Sequence, residues 1–321
     1  KVTPVTEKVT VTITGNTGSV TYDGNSHQVT GYTTSFSNAL YTANDFEFSG
    51  TAEAKGKDAD TYKMGLKKDQ FKNTSKNFTN VEFVVTDGQL VIGKRTVTLT
   101  SGSDSKIYNG KPLTNGEVTV TGDGFAKGEG ATYDVTGTIT NVGEKANAFT
   151  YALNEGTKAD NYNITKTEGT LKVTPVTEKV TVTITGNTGS EKYDGNSHKV
   201  TGYTSTFSNG LYTEANFKFS GKAEANRTNA GQTNMGLAVE QFTNTSANFT
   251  NVEFVVTDGY SKVEKRTVTL TSASDEKVYD GNALTNDTVT ADGFVEGQGA
   301  TYNVTGTITN TGETDNTFTY T

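Results

Sequence analysis

Apolar and polar residues alternate one for one over KVTVTIT at 8–14, placing Val9, Val11 and Ile13 on one face and Thr10, Thr12 and Thr14 on the other. A period of two in β-branched residues predicts a half-buried strand. The same alternation recurs in TVTLT at 96–100, with Val97 and Leu99, and in VEFVV at 81–85. After the latter, TDG at 86–88 predicts a tight turn and a hairpin with the apolar QLVI. Tyr22-Asp23-Gly24-Asn25 and Tyr193-Asp194-Gly195-Asn196 read as turns in which glycine is free to take positive φ. Helical periodicity is scarce. LKKDQFKN at 66–73, and its counterpart LAVEQFTN at 237–244, predict one short turn each, the first burying Leu66 and Phe71. The expected fold class is all-β.

These patterns repeat. KVTPVTEKVTVTITGNTGS at 1–19 returns letter for letter at 172–190, and NFTNVEFVVTDG at 77–88 returns at 248–259, both offset by 171 residues. A repeat defines the folding unit and is therefore read before anything else. Each 171-residue stretch is itself a pair, because KRTVTLTS at 94–101 restarts the order of signals: a Thr/Val strand, a YxG turn, an aromatic-bearing strand and a closing hairpin. The expected organisation is four tandem small β-modules in an extended rod, each an antiparallel sandwich of Ig-like or grasp-like kind: 1–93, 94–173, 174–264 and 265–321. Units of about 80 residues have diameters on the order of 30 Å, so four in line would reach roughly 120 Å. Pro4 and Pro175 stand at equivalent junctions, where a stiff residue without an amide donor would limit bending.

The last module has no counterpart of NEGTKADNYNITKTEGTLKV at 154–173. It is expected to lack its final hairpin and to present an unpaired edge, either less ordered than the others or completed by a neighbouring chain. Lys1-Val2 match Lys172-Val173 and read as the tail of a preceding module. Signal peptide and anchor are expected outside these residues.

Composition narrows the function. Hydrophobic residues make up only 32% of the chain, yet 15 Tyr and 16 Phe supply large buried surfaces. With no Cys, there is no disulfide framework and no thiolate metal site. A net charge of −8 and a pI near 5.0 argue against nucleic acid or an anionic membrane as partner. No apolar run approaches the roughly 20 residues of a membrane-spanning helix.

YDGNSHQVTGY at 22–32, DADTYKMGL at 58–66 and NFTNVEFVVTDGQLVI at 77–92 resemble the YDG/MBG-type tandem repeat modules of Gram-positive bacterial cell-surface proteins. In the second module the matching pieces are IYNGKPL, TNVGEKANAFTYAL and NYNITKTEGTLKVTP, with Asn109 where the pattern has Asp. The resemblance implies an extracellular, cell-wall-attached stalk or adhesion segment, and it transfers no catalytic residue. Its implied partners are host glycans, extracellular matrix or a mucosal surface.

Candidate chemistry is thin. His27 and His198 occupy one repeat position and, a repeat apart, would not share a site, so a structural role is expected. No nucleophile has a His–Asp companion, and an enzyme is not expected. GDGFAKGEGATY at 122–133 lacks the strand, helix and Lys-Ser/Thr of a phosphate cradle, and reads as a hairpin with Phe125, and Phe294 in the second copy, in the core. Asp58, Asp60 and Asp104 do not match a calcium loop, and neither metal nor cofactor is expected. A Lys–Asn isopeptide staple is an open possibility. The binding candidates are Phe36, Asn38 and Tyr41 in SFSNALYT, with Phe207, Asn209 and Tyr212 in TFSNGLYT: aromatic platforms for sugar faces, flanked by amides. In that alternative the chain is an array of carbohydrate-binding modules, with avidity from repetition. A monomer is expected.

Overall fold

The computed structural model describes all residues, Lys1–Thr321, and divides into two compact units, Lys1–Thr174 and Pro175–Thr321. Every named strand pair in the first unit lies within 9–93 or within 95–174, so no ladder crosses the Gly93/Lys94 boundary.

Residues 9–93 hold ten strands: β1 (Val9–Gly15), β2 (Thr17–Thr21), β3 (His27–Thr30), β4 (Tyr32–Phe36), β5 (Phe46–Phe48), β6 (Glu53–Gly56), β7 (Thr61–Lys63), β8 (Phe71–Asn73), β9 (Val81–Thr86) and β10 (Gln89–Gly93). The alternation in β1 is realised as read. Val9, Val11 and Ile13 are buried and Thr10, Thr12 and Thr14 face outward or lie half-buried. The two short turns appear as single 3-10 turns at Lys68–Gln70 and Val239–Gln241, with Leu66 and Phe71 in the core.

The central pairing departs from the antiparallel expectation. β1 pairs in parallel with β9, from Val9↔Val81 to Thr14↔Thr86, and β2 pairs in parallel with β10, from Thr17↔Gln89 to Thr21↔Gly93. β4 flanks β1 and β7 flanks β10, both antiparallel. TDG therefore turns no hairpin: β9 and β10 belong to different sheets, and Asp87-Gly88 is where the chain switches from one to the other. β1 and β2 switch sheets alongside, at Gly15-Asn16. The two glycines make this possible, since a Cβ on Gly15 would lie 2.3 Å from the Gly88 nitrogen, and one on Gly88 would lie 2.4 Å from the Asn16 carbonyl oxygen. The Asp87 carboxylate accepts from the amides of Gly65 (3.1 Å) and Leu66 (2.8 Å), holding the crossing connection at the switch.

Residues 95–174 repeat the plan with β11 (Arg95–Ser101), β12 (Asp104–Ile107), β13 (Val118–Gly122), β14 (Ala131–Val135), β15 (Gly143–Asn147), β16 (Phe149–Leu153), β17 (Tyr162–Thr167) and β18 (Gly169–Thr174). β11 runs parallel to β17 and antiparallel to β13; β18 lies between β12, parallel, and β15, antiparallel. β17 and β18 are again not a hairpin. Nor is GDGFAKGEGATY one: it carries the chain from β13, paired to β11, to β14, paired to β16. A period of two reports which face is buried; it carries no information on the direction of the neighbouring strand.

Interiors of the two halves are not separate. Val9, Val11, Ile13, Leu90 and Ile92 belong to one continuous apolar cluster with Val97, Leu99, Phe149 and Tyr162. The two halves of the first unit share one interior, with the Tyr22 and Tyr162 rings in contact across the boundary and Ala126 in the same cluster.

In the second unit, residues 180–264 repeat the first plan, with Val180–Gly186 parallel to Val252–Thr257 and Thr188–Lys192 parallel to Tyr260–Glu264. Residues 265–321 hold only four short strands, paired as Thr269–Ser272 with Val289–Asp292 and Tyr302–Val304 with Phe318–Tyr320.

Candidate functional site

The candidate platforms lie after the fourth strand of each first-type module. Asn38 closes the loop by accepting from the amide of Leu40 at 2.9 Å, and Asn209 does the same for Leu211 at 2.9 Å. That turn drives the next residue inward, so Tyr41 and Tyr212 are each only 1% exposed. The Tyr41 hydroxyl donates to the Asp45 carbonyl (3.0 Å) or to Asn73 Oδ1 (2.9 Å), and Tyr212 meets Asn216 and Asn244 in the same way (3.1 and 3.0 Å). Phe78 packs edge-on to the Tyr41 ring at 5.1 Å, with half-buried Phe36 tilted at 5.7 Å; Phe249 and Phe207 do so at 5.1 and 5.7 Å around Tyr212. Burial pushes both phenols up to about 12. Neither tyrosine offers an open ring face to a sugar. Period-two aromatics with a following Asx turn are placed as core because large rings gain most from burial.

Each histidine opens a strand, His27–Thr30 or His198–Thr201, and ties back to the turn before it. His27 Nε2 lies 2.9 Å from Asp23 Oδ1, and His198 Nε2 lies 2.8 Å from Asp194 Oδ1. The Asp23 and Asp194 carboxylates also accept from the amides of Asn25 (2.8 Å) and Asn196 (2.9 Å), while Gly24 takes φ +84° and Gly195 φ +82°. Hydrogen bonds from His27 and Asn25 depress the Asp23 carboxyl, and those from Asn196 and His198 lower Asp194 to about 2.

The densest polar arrangement is one that the sequence reading did not single out. It joins residues 1–93 to 94–174. Glu129, on the glycine-rich connection, accepts from both the Tyr22 hydroxyl and the Tyr162 hydroxyl, the latter at 2.6 Å. The tyrosine rings meet edge-on at 5.6 Å, and Phe125 packs on Tyr162 at 5.2 Å. Burial, reinforced by the Glu129 carboxylate, raises Tyr22 strongly and Tyr162 to about 12. Arg95 ties the same corner, donating to the Gly124 carbonyl (2.7 Å), the Tyr22 carbonyl (3.3 Å) and the Asp123 carbonyl (2.5 Å). Beside it, Asp58 receives Lys158 at 2.6 Å and Asn161 Nδ2 at 3.0 Å, and Asn161 Oδ1 accepts from the Ala59 amide at 2.8 Å.

One signal for this clamp was present in the sequence. In the second copy Asp58 and Glu129 change together, to the neutral Asn229 and Gln298. There Gln298 Nε2 donates to the Tyr193 hydroxyl at 2.6 Å. A cavity of about 380 Å³ opens beside this pair, its walls including Asn229, Arg266, Val268 and Phe294.

No group of three or more His, Asp or Glu side chains is gathered as metal ligands would be. The Asp58 oxygens face Lys158 and Asn161, and Asp60 caps the Thr61 amide at 2.7 Å. The buried polar residues are Ser101, Asn147, Asn161 and Ser261. None is a lysine, so the interior holds no Lys–Asn pair from which a buried isopeptide could form. No helix is long and apolar enough to cross a membrane.

The family description that matches this chain is the MBG domain, over residues 9–98. No curated protein matches. Among solved structures, the chain is similar to the N-terminal eight Ig domains of Down syndrome cell adhesion molecule isoform 1.30.30, at 10% identity and a TM-score of 0.16, covering 92% of this chain and 46% of that one. The chain thus spans less than half of that structure, and a likeness at this score carries no argument.

Proposed function

We propose, proceeding from the MBG domain at residues 9–98, that these repeats form a tension-bearing stalk or adhesion segment of a bacterial cell-surface protein. The observation that carries this reading is the parallel pairing of the strands at the start and the end of the stretches 9–93, 95–174 and 180–264. β1–β2 and β9–β10 are such a pair, as are β11–β12 and β17–β18. Pulling on entry and exit drives parallel partners past one another along their length. Every ladder hydrogen bond is then loaded at once, whereas an antiparallel hairpin would open one bond at a time. Each bond contributes only about 1 kcal/mol net, so loading them together is what makes the barrier high. Resistance to forced unfolding follows the height of that barrier, not equilibrium stability. The Tyr22–Glu129–Tyr162 and Asp58–Lys158–Asn161 clamps support the same reading, since they hold neighbouring modules without flexible linkers.

On this reading the segment lies outside the cell, attached to the wall, and meets host glycans, matrix or a mucosal surface as a monomer. Contact would fall to exposed loop tips such as Leu40 and Leu211, 75% and 40% accessible, and not to the buried tyrosine rings. Single-molecule pulling between the termini tests the proposal. Unfolding should demand clearly more force along the terminal direction than when the same unit is gripped across one sheet edge, for example through Phe48 and Phe71 on the antiparallel β5–β8 pair. Equal and low forces in both directions would remove the stalk. A glycan array read with the intact chain tests the adhesive half.

A further inference from the structure

Each of the four stretches carries a Tyr-x-Gly turn, and in three of them the middle residue is aspartate: Asp23, Asp194 and Asp280. The fourth is Asn109, in Tyr108-Asn109-Gly110. The turn around it is built like those around the acids. Asn109 Oδ1 accepts from the Lys111 amide at 3.1 Å, as Asp280 Oδ1 does from the Asn282 amide at 3.0 Å and Asp23 Oδ1 from the Asn25 amide at 2.8 Å. Lys106 Nζ donates to the same Asn109 oxygen at 2.9 Å, where its counterpart Lys277 forms an ion pair with Asp280, also at 2.9 Å. Lys106 therefore holds its charge against a neutral amide in a place where Lys277 meets a carboxylate.

Asparagine followed by glycine leaves the side-chain amide open to attack by the next backbone nitrogen, because no Cβ shields that nitrogen and the backbone turns freely. The chain has three such pairs: Asn109-Gly110, Asn115-Gly116 and Asn209-Gly210. The fold treats them differently. Asn109 and Gly110 are exposed, and Gly110 takes φ +73° outside every strand. Asn115 is half-buried, with its amide packed so closely on Gly102 that a Cβ there would lie 2.6 Å from both Oδ1 and Nδ2; its carbonyl receives Asn147 Nδ2 at 2.8 Å. Asn209 is half-buried in the turn that sends Tyr212 into the core. Of the three, only Asn109 has a cation on its amide oxygen.

We propose that Asn109 is a site of self-catalysed deamidation, by which this turn acquires the acid that the other three carry. The Gly110 nitrogen gives its proton to water and attacks Asn109 Cγ, while Lys106 Nζ steadies the negative charge that gathers on Oδ1. The Cγ–Nδ2 bond then breaks as Nδ2 takes up a proton and leaves as ammonia, and a five-membered imide remains. Water opens the imide at either carbonyl carbon, giving aspartate or its β-linked isomer with no change of oxidation state. The α-linked product falls into the arrangement of Asp280, with Lys106 as its ion-pair partner, so the fold receives it without rebuilding the turn. One further negative charge is added to a net of −8.

This inference goes beyond the stalk reading and does not depend on it, because the chemistry needs neither tension nor a surface. In the test, the intact 321-residue chain is held in mildly alkaline buffer, folded or in urea, and followed by peptide mapping that separates amide, acid and β-linked products. In urea the three Asn-Gly pairs should convert at comparable rates. In the folded chain Asn109 should convert at least about tenfold faster than Asn115 or Asn209. Asn38-Ala39 and Asn286-Asp287, the repeat counterparts without glycine, should stay amides over the same period. Lys106→Gln removes the charge-assisted bond and should slow Asn109 by about threefold or more, leaving the other two pairs unchanged. Asn109→Asp, the product itself, should leave the thermal transition of the first unit unmoved or raised. Equal rates at the three pairs in the folded chain, an amide at 109 that persists there while urea converts it, an unaltered rate in Lys106→Gln, or a lower transition for Asn109→Asp would each overturn the proposal. So would loss of ammonia with residues 106 and 109 joined, since that would make Lys106 the nucleophile in place of Gly110.

Discussion

Replacing Tyr41 separates a core residue from a ligand platform. The ring is 1% exposed, edge-packed on Phe78, and its hydroxyl has two acceptors within 3.0 Å. Truncating a fully buried aromatic to alanine costs about 3–5 kcal/mol. A hydroxyl has one proton to donate, so Tyr41→Phe removes one hydrogen bond at a time and should cost about 1 kcal/mol. For a unit of this size, with a shift of ~2–4 °C per kcal/mol, the alanine variant should melt roughly 6–20 °C lower and the phenylalanine variant only a few degrees lower. Tyr212→Ala should do to the second unit what Tyr41→Ala does to the first. Urea titration followed by circular dichroism, with calorimetry to resolve the two units, measures both steps. If Tyr41→Ala cost less than about 1 kcal/mol, like an ordinary surface change, the packing argument would fail and the glycan platform would return.

Glu129→Gln places in the first unit the residue found at that position in the second; losing charge-assisted bonds to two tyrosines from a half-buried site should cost about 1–3 kcal/mol. Its signature is spectroscopic: tyrosinate absorbance from Tyr22 and Tyr162 should emerge at lower pH, because the carboxylate helps hold both phenols up. Tyr41, Tyr162 and Tyr212, held neutral to about 12 against an ordinary 10.0, contribute stability that is complete below pH 10 and lost as pH rises toward 12; alkaline unfolding should coincide with their ionisation. Asp194 has the opposite sign. Lowered from 3.8 to about 2, it contributes stability present above its unfolded value and lost as pH falls between the two, so Asp194→Asn should flatten the acid limb of a urea-midpoint profile. Gly88→Ala drives a methyl to 2.4 Å from the Asn16 carbonyl oxygen and should cost about 3 kcal/mol or more in the same assay, as overpacking against backbone does.

Face and element type were legible in the chain because they are local. Val9, Val11 and Ile13 against the threonines, the single turns at Lys68–Gln70 and Val239–Gln241, and the Asp-Gly turns after Tyr22 and Tyr193 all follow from side-chain periodicity and backbone freedom within a few residues. The repeat likewise announced which segments would fold alike. Strand direction was beyond this kind of reading. Nothing in VEFVVTDGQLVI says that its two halves lie in separate sheets, each beside a strand some 70 residues earlier; close approach of Gly15 and Gly88 and the gain from closing a core on both sides choose that arrangement. The clamp shows the same divide. Tyr22, Glu129 and Tyr162 look like unrelated polar and aromatic positions 107 and 33 residues apart, and acquire a common role only when the folded chain removes them together from water. Hydrophobic alternation acts over two residues, whereas the partner that a buried hydroxyl or an open strand edge must find is set by which surfaces meet once the whole chain has collapsed.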